Sequence, residues 1–477
     1  MFKRYFSILA CLLFGILPSL AAPDPFSLEY GVVAPCPQHG QAQTLDIPLN
    51  LADVVDLALC HNPKTRAAWA NAKVEAALVG IAQAAYLPYL DATISGSRQR
   101  TRAEYESPLT NTTHSETVRT RSQSADIYLS YLLFDFGGRA ANLESQRQLL
   151  NAAIAQQDTT RQAVFLEAVQ AFYQVHASAA AVEAAKTSET AAQKSLSAAE
   201  SRLKAGVATS VDKLQAQTAF SQAELNLIRM EGMWRNAEGI LANTLGLGAN
   251  HPVRLEPDEL LFSDTLADKI ALVENISTRL DAWMEAAKHE RPDLRAAEAY
   301  YQAARAAVGV ARSQGLPTLR FIASPGYQRR DGLDSHSGSV GLTLNIPLFS
   351  GFADSYRIRA AEVREEASAI ELERLEQQTS LEVWQAWQEL RTATQSLLAT
   401  TTLFASAEAA ERMTLGRYQA GVGNILDLLN AQSALADARL QRINAAYDWH
   451  ISRAALARAI GRLDRRLLDE SFFFTEP

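Results

Sequence analysis

The sequence predicts an internally duplicated α+β membrane protein in which each half supplies a β-hairpin and very long helices. Three observations carry this. The chain is written twice, each copy holds period-two segments of about ten residues, and each then runs about 65 residues nearly free of helix breakers.

The repeat is the firmest of the three. Asn62-Pro63-Lys64-Thr65-Arg66-Ala67-Ala68 corresponds to Arg291-Pro292-Asp293-Leu294-Arg295-Ala296-Ala297, 229 positions later. Ala77-Leu78-Val79-Gly80-Ile81-Ala82 and Ala306-Ala307-Val308-Gly309-Val310-Ala311 keep that offset, as do the Leu-Pro steps at Pro88 and Pro317. Beyond the first hairpin the offset becomes 215 and holds. It pairs Phe134 with Phe349, Ala205-Gly206-Val207 with Ala420-Gly421-Val422, Asp212 with Asp427, and Trp234 with Trp449. The slip falls between Leu90 and Leu133, where Arg98 to Ser122, rich in Arg, Thr, Ser and Asn, reads as a solvated loop at the tip of the first hairpin.

Each copy has the same order. An Ala-rich helix (about Leu51–Tyr86 and Thr278–Gln314) stops at the Leu-Pro step, since proline disfavours a helical residue before it. The strand segments follow. Ile127, Leu129, Tyr131 and Leu133 share one face opposite Asp126, Tyr128 and Ser130, and Val340, Leu342, Leu344 and Ile346 oppose Gly341, Thr343 and Asn345. Leu90, Ala92 and Ile94 oppose Asp91, Thr93 and Ser95 less cleanly. The long helices come next, with Val164, Ala168, Ala171, Val175, Ser178, Val182 and Ala185 spaced as a coiled-coil seam. An Ala-Gly-Val turn then reverses the chain into a returning helix.

Strands of this length suit an outer-membrane barrel wall. Four of them cannot close alone, and an open edge in lipid leaves unpaired amides and carbonyls, so other copies of the chain must complete the sheet. Tyr86, Tyr89, Phe134, Phe136, Tyr327, Phe349 and Phe352 lie at strand ends, as an interfacial belt would; packing at strand–helix junctions is the other reading.

Lys3 and Arg4 precede the apolar run Tyr5–Leu20, which ends in small residues, the pattern of a secretory signal peptide over 1–22. Cys11 sits in a lipid-attachment-like Ile8-Leu9-Ala10-Cys11, but the apolar run continues well past it. The remaining boundaries read as an extension over 23–50, first repeat 51–250 with hairpin 87–136, linker 251–277, second repeat 278–462 with hairpin 316–349, and tail 463–477. A net charge of −8 argues against nucleic acid as a partner. Past the signal peptide Cys36 and Cys60 remain; an oxidising compartment permits a bridge between them, and two independent buried thiols are the alternative. Cys36-x-x-His39 lacks a second zinc pair, and the chain has neither a phosphate-binding Gly loop nor a nucleophile elbow, so an enzyme, a cofactor and a bound metal are not expected. A trimeric coiled-coil surface protein would carry one terminal anchor, not a hairpin inside each copy.

The duplicated order, Asn62-Pro63, the Leu-Pro steps, the run Leu133-Phe134-Asp135-Phe136-Gly137-Gly138-Arg139, and the Ala-Gly-Val turns followed by Leu426-Asp427-Leu428-Leu429-Asn430-Ala431-Gln432 together resemble the TolC-like outer membrane efflux protein family. The resemblance spans nearly the whole chain after the signal peptide. It implies a homotrimer with a twelve-stranded outer-membrane barrel continued by a periplasmic helical coiled-coil barrel. It also implies a periplasmic adaptor, an inner-membrane ABC or RND pump, and surrounding outer-membrane lipid. Drug or metal efflux and one-step (type I) protein secretion both fit such a duct.

The resemblance further implies that the turn tips, with Ala205, Gly206, Val207, Ala420, Gly421 and Val422, meet the adaptor, and that Asp427, Asn430, Asp212 and Tyr418 form a periplasmic gate. Where some relatives carry a second acid and an arginine, this chain has Asn430 and Gly423. Helix N-capping is the competing role for Asp427 and Asp212.

Overall fold

A computed structural model describes residues 48–106, 113–257 and 280–463; the expected signal peptide, Cys36, most of the linker and the tail from 464 lie outside them. Asn50 opens α1 (Leu51–His61) through a capping box, accepting from the Asp53 amide at 2.9 Å and donating its own amide to Asp53 at 3.2 Å. The sequence suggested one helix onward to Tyr86. Instead Asn62 is extended, as the residue before a proline must be, and α2 (Pro63–Ala84) restarts with proline in its first position. Then come β1 (Tyr89–Glu106), β2 (Thr113–Phe134), α3 (Gly138–Lys204) and α4 (Ser210–Thr244). The second copy follows as α5 (Pro292–Gln314), β3 (Thr318–Arg330), β4 (Leu333–Asn345), α6 (Ala353–Gln419) and α7 (Ile425–Ile460). Residues 280–290 are helical too, so Arg291 repeats the break at Asn62. At 67 residues each, α3 and α6 are about 100 Å long.

The described residues form two bodies. The strand body comprises Lys73–Ala152 and Glu298–Glu371; the helical body holds the described parts of Gly31–Ala72, Ala153–Ala297 and Leu372–Pro477.

In the strand body the four strands pair antiparallel in the order β1-β2-β3-β4. Asp331 and Gly332, with φ of 50° and 89°, make the two-residue turn between β3 and β4, a geometry that suits the strand twist. The first hairpin corrects the sequence reading: Arg98–Glu106 and Thr113–Ser122 are paired strand, not loop. Their arginines and threonines obscured the period-two pattern, because neither face there is apolar. Below the sheet α5 is held between α3 and α6 by small residues. A Cβ on Gly309 would come within 3.0 Å of Ala141, Ser145 donates to the Ala303 carbonyl at 3.1 Å, and Val308 and Ala311 pack with Ala361. The repeat mate of Gly309 is Gly80 on α2, and nothing lies within 4 Å of where its Cβ would be. Val74, Leu78 and Ile81 on α2 are left exposed in the single chain.

In the helical body every member of the α3 seam from Val164 to Ala185 is buried, and Val164, Ala168, Ala171 and Val175 join Leu241, Leu390, Leu456 and Trp449 in one core. The Trp449 indole donates to Thr394 at 3.0 Å. The small seam residues let backbones approach closely, and the Ser178 hydroxyl within the seam donates to the Gln174 carbonyl of its own helix at 2.8 Å.

Candidate functional site

Two places carry the expected function, the faces of the sheet and the turn tips. Register settles the first. Leu90 lies opposite Leu129, Ala92 opposite Ile127 and Ile94 opposite Ala125; Leu129 lies opposite Ala323, and Ala323 opposite Val340. Tyr131, Phe321 and Leu342 align likewise, so the apolar residues of all four strands form one continuous face. The other face is polar. Asp91 is opposite Tyr128, Thr93 opposite Asp126, and the hydroxyl pairs Ser95–Ser124 and Ser324–Ser339 touch at 2.9 and 2.6 Å. Leu90, Ile94, Val340, Leu342 and Leu344 remain widely exposed. Among the described residues no helix is long and apolar enough to cross a membrane. Among the described residues β1 and β4 each have only one partner strand.

The run after β2 has a structural cause. Arg139 donates to the carbonyls of Leu132 at 2.7 Å and Leu133 at 3.3 Å, its amide donates to Asp135, and its guanidinium lies 5.0 Å from the Tyr86 ring centre. Phe136 and Gly137 take positive φ, and Phe134 stacks edge-on against Phe136 at 4.8 Å. The run therefore anchors the strand end to the start of α3.

At the tips, Gly206 (φ 76°) and Gly421 (φ 80°) end α3 and α6 in the left-handed conformation. Val207 N–H reaches back to the Arg202 carbonyl at 3.0 Å and Val422 N–H to that of Arg417 at 3.1 Å, which is why Ala-Gly-Val recurs. Asp212 sits in a capping box: Thr209 N–H donates to it at 2.8 Å, and the Asp212 amide donates to the Thr209 hydroxyl at 3.2 Å. Its repeat mate Asp427 takes no such part. Asn424 caps α7 by accepting from Leu426 N–H at 3.1 Å, and Asp427 and Asn430 lie exposed one turn apart. Tyr418 is 5% exposed, and its hydroxyl has no partner among the described residues. Within the single chain Tyr418 and Asp212 are thus not hydrogen-bonded to each other. Gly423 is tight, since a Cβ there would lie 2.8 Å from the Tyr418 amide nitrogen.

Arg202 was missed in the sequence. It donates to the Tyr418 carbonyl at 2.8 Å and lies 4.6 Å from the centre of its ring, tying one tip to the other. Its signal was available, because Arg202 and Arg417 hold the same place before the two Ala-Gly-Val turns. Between α3 and α6–α7, above the tips, runs a groove of about 590 Å³ whose lining includes Lys186, Lys194, Glu411 and Tyr418. Cys60 is half-buried near the end of α1 and disulfide-bonded, while Cys36 lies outside the described residues.

The comparisons with known proteins agree with this geometry. Residues 54–247 and 283–462 match the outer membrane efflux protein family, one match per copy. The chain is 32% identical to Protein CyaE of Bordetella pertussis over 94% of this chain and 92% of that protein. It is 25% identical to the probable efflux pump outer membrane protein TtgC of Pseudomonas putida, covering 86% and 82%. Its fold is shared with the outer-membrane channel OprN (TM-score 0.73, 20% identity, covering 91% and 96%) and with CusC (0.71, 19%, covering 90% and 97%). This is a family of channels rather than of enzymes. With its duplicated helices and a four-stranded sheet apolar on one face, the chain belongs to the outer membrane efflux protein family and resides in the outer membrane, extending into the periplasm.

Proposed function

We propose that the chain is the outer-membrane exit channel of a tripartite export system, passing cargo without chemistry. The carrying observation is the sheet, apolar on one face, polar on the other and open at β1 and β4. Lipid penalises open edges, so neighbouring copies close it. The repeat supplies the joint. Offsets of 215 and 229 carry the pair Leu129–Ala323 onto Leu344 of one chain and Ile94 of the next, both on the apolar face. The same operation carries Ala141 against Gly309 onto the exposed Tyr356 against the open Gly80. Three copies make twelve strands with the polar faces lining water.

Three copies of Asp427 at the entrance attract cations and repel anions, with Asn430 adding hydrogen bonds but no charge. The tips and the groove above them receive the adaptor, which connects the channel to an inner-membrane ABC or RND pump. The pump selects the cargo, and identifying the pump that co-purifies with this chain separates small-molecule efflux from protein secretion. A bridge from Cys36 to Cys60 ties the N-terminal extension to α1.

The test is a cysteine pair, Ile94→Cys with Leu344→Cys, oxidised in membranes. A cross-linked ladder ending at three chains is expected. Cross-links that stop at two chains, or none at all in assembled protein, would overturn the closure.

A further inference from the structure

We propose that the first hairpin, where it runs on beyond the β3–β4 turn, binds the phosphate groups of outer-leaflet lipid through Arg98, Arg100, Arg119 and Arg121. This rests on the reading that the apolar strand face meets lipid, and goes beyond it by naming a headgroup site.

Register puts Arg98 directly opposite Arg121, and Arg100 directly opposite Arg119. These rows continue the face of Leu90, Ala92 and Ile94, so the four guanidinium groups stand on the outward side, two rows past Ile94. The turn at Asp331 marks the level, because its amide donates to the Arg121 carbonyl at 2.9 Å and its carboxylate accepts from the Arg121 amide at 2.7 Å. On the inward side the same rows of β1 and β2 are uncharged: Ser97 touches Ser122 at 2.8 Å, Gln99 faces Thr120, and Thr101 faces Val118, and the inward cation at this level is Arg330 of β3, opposite Ser122. Within the first hairpin the cations of these rows are thus confined to the side that continues the lipid face.

Directly opposed like charges destabilise a strand pair. Here two such pairs are stacked, and among the described residues no acid neutralises them. The neighbouring outward cations are already matched, Arg102 by Glu104 at 3.1 Å and Arg329 by Asp334 at 3.4 Å. A local rule broken twice in succession on one face is resolved by an anion between the strands. Guanidinium forks suit phosphate oxygens, and a headgroup anchored by acyl chains along Leu90, Ile94 and Ile127 sits at this height. Continuity with the apolar band favours a phosphorylated lipid over a soluble anion.

The experiment uses full-length protein in detergent, with lipid A bisphosphate and dephosphorylated lipid A as probes and retained lipid counted by native mass spectrometry. Replacing all four arginines by glutamine should cut lipid A retention on the order of tenfold, and replacing them by lysine should preserve most of it. Dephosphorylated lipid A should bind equally poorly to every variant, millimolar inorganic phosphate should fail to displace lipid A, and the inward-facing Arg330→Gln should behave as wild type. The proposal is overturned if the glutamine variant retains lipid A like wild type. It also falls if phosphate groups make no difference, if inorganic phosphate displaces the lipid, or if Arg330→Gln loses as much. Chain cross-linking and conductance, measured on the same variants, read the channel separately from the lipid site.

Discussion

Asn62 and Arg291 hold the same position in the two copies, each before a proline where one helix ends and the next begins. Asn62 does its work neutrally. It is 4% exposed, donates to the Thr244 carbonyl at 2.9 Å and accepts from Lys64 N–H at 2.9 Å. Arg291 reaches the equivalent carbonyl, Ala459, at 3.5 Å, but it also bonds Asp293 at 2.9 Å and Glu382 at 2.6 Å. Beside it Arg462 pairs with Glu290. The glycine that follows the returning helix is preserved in both copies. A Cβ on Gly246 would lie 2.5 Å from the His61 carbonyl oxygen, and one on Gly461 would lie 2.9 Å from the Arg291 amide nitrogen. The duplicated backbone thus demands a donor at one place and a glycine at another, while leaving open whether the donor is neutral or charged.

The ionic junction is expected to respond to acid and the neutral one is not. Burial alone would raise the Asp293 carboxyl, but its hydrogen bonds with Arg291 and that group's charge outweigh burial and hold it below its ordinary value. Burial lowers Arg291, and the bonds to Asp293 and Glu382 more than offset it. For a depressed carboxylate the stabilisation is present above the unfolded value near 3.8 and is lost as pH falls through the folded one. Arg291, shifted upward, would lose its share only in strong alkali.

The largest effect is expected from Arg291→Leu, which strands two partly buried carboxylates. It should cost about 2–3 kcal/mol, below the range for a fully buried pair because Asp293 and Glu382 are 24% and 36% exposed. Thermal melts should show this, and the variant should lose part of the acid sensitivity of wild type below about pH 4. A wild-type acid profile in the variant would show that the junction does not set it.

Asn62→Ala comes next. It leaves the buried Thr244 carbonyl without its side-chain donor and should cost about 1–2 kcal/mol, by the same amount at neutral and acid pH. A cost that varied with pH would break the contrast between the two junctions.

The tips offer the same kind of contrast at smaller scale. Asp212→Ala removes a capping-box partner and should cost about 1 kcal/mol without altering ion selectivity. Asp427→Asn should change stability by less than about 0.5 kcal/mol, yet weaken cation preference and multivalent-cation block in bilayer recordings. If the two substitutions exchanged effects, Asp427 would be the cap and Asp212 the charged group at the entrance.

By itself the sequence determined the repeat, the strand faces and the coiled-coil seam, because burial imposes periods of two and of three to four on which residues are apolar. Val164 to Ala185 are buried as their spacing required, and Ile127 and Val340 lie on one apolar face as their alternation required. Only tertiary structure decided what depends on partners distant in the chain. Arg98–Glu106 and Thr113–Ser122 became strand because each segment supplies the other's ladder hydrogen bonds, whatever its polarity. Asp212 and Asp427 hold one place in the repeat, and it is the local cap that parts them: Thr209 exchanges hydrogen bonds with Asp212, whereas Asn424 caps α7 without Asp427. Arg202 meets Tyr418 across 216 residues; the repeat marks Arg202 as the mate of Arg417, but its partner is set by long-range packing.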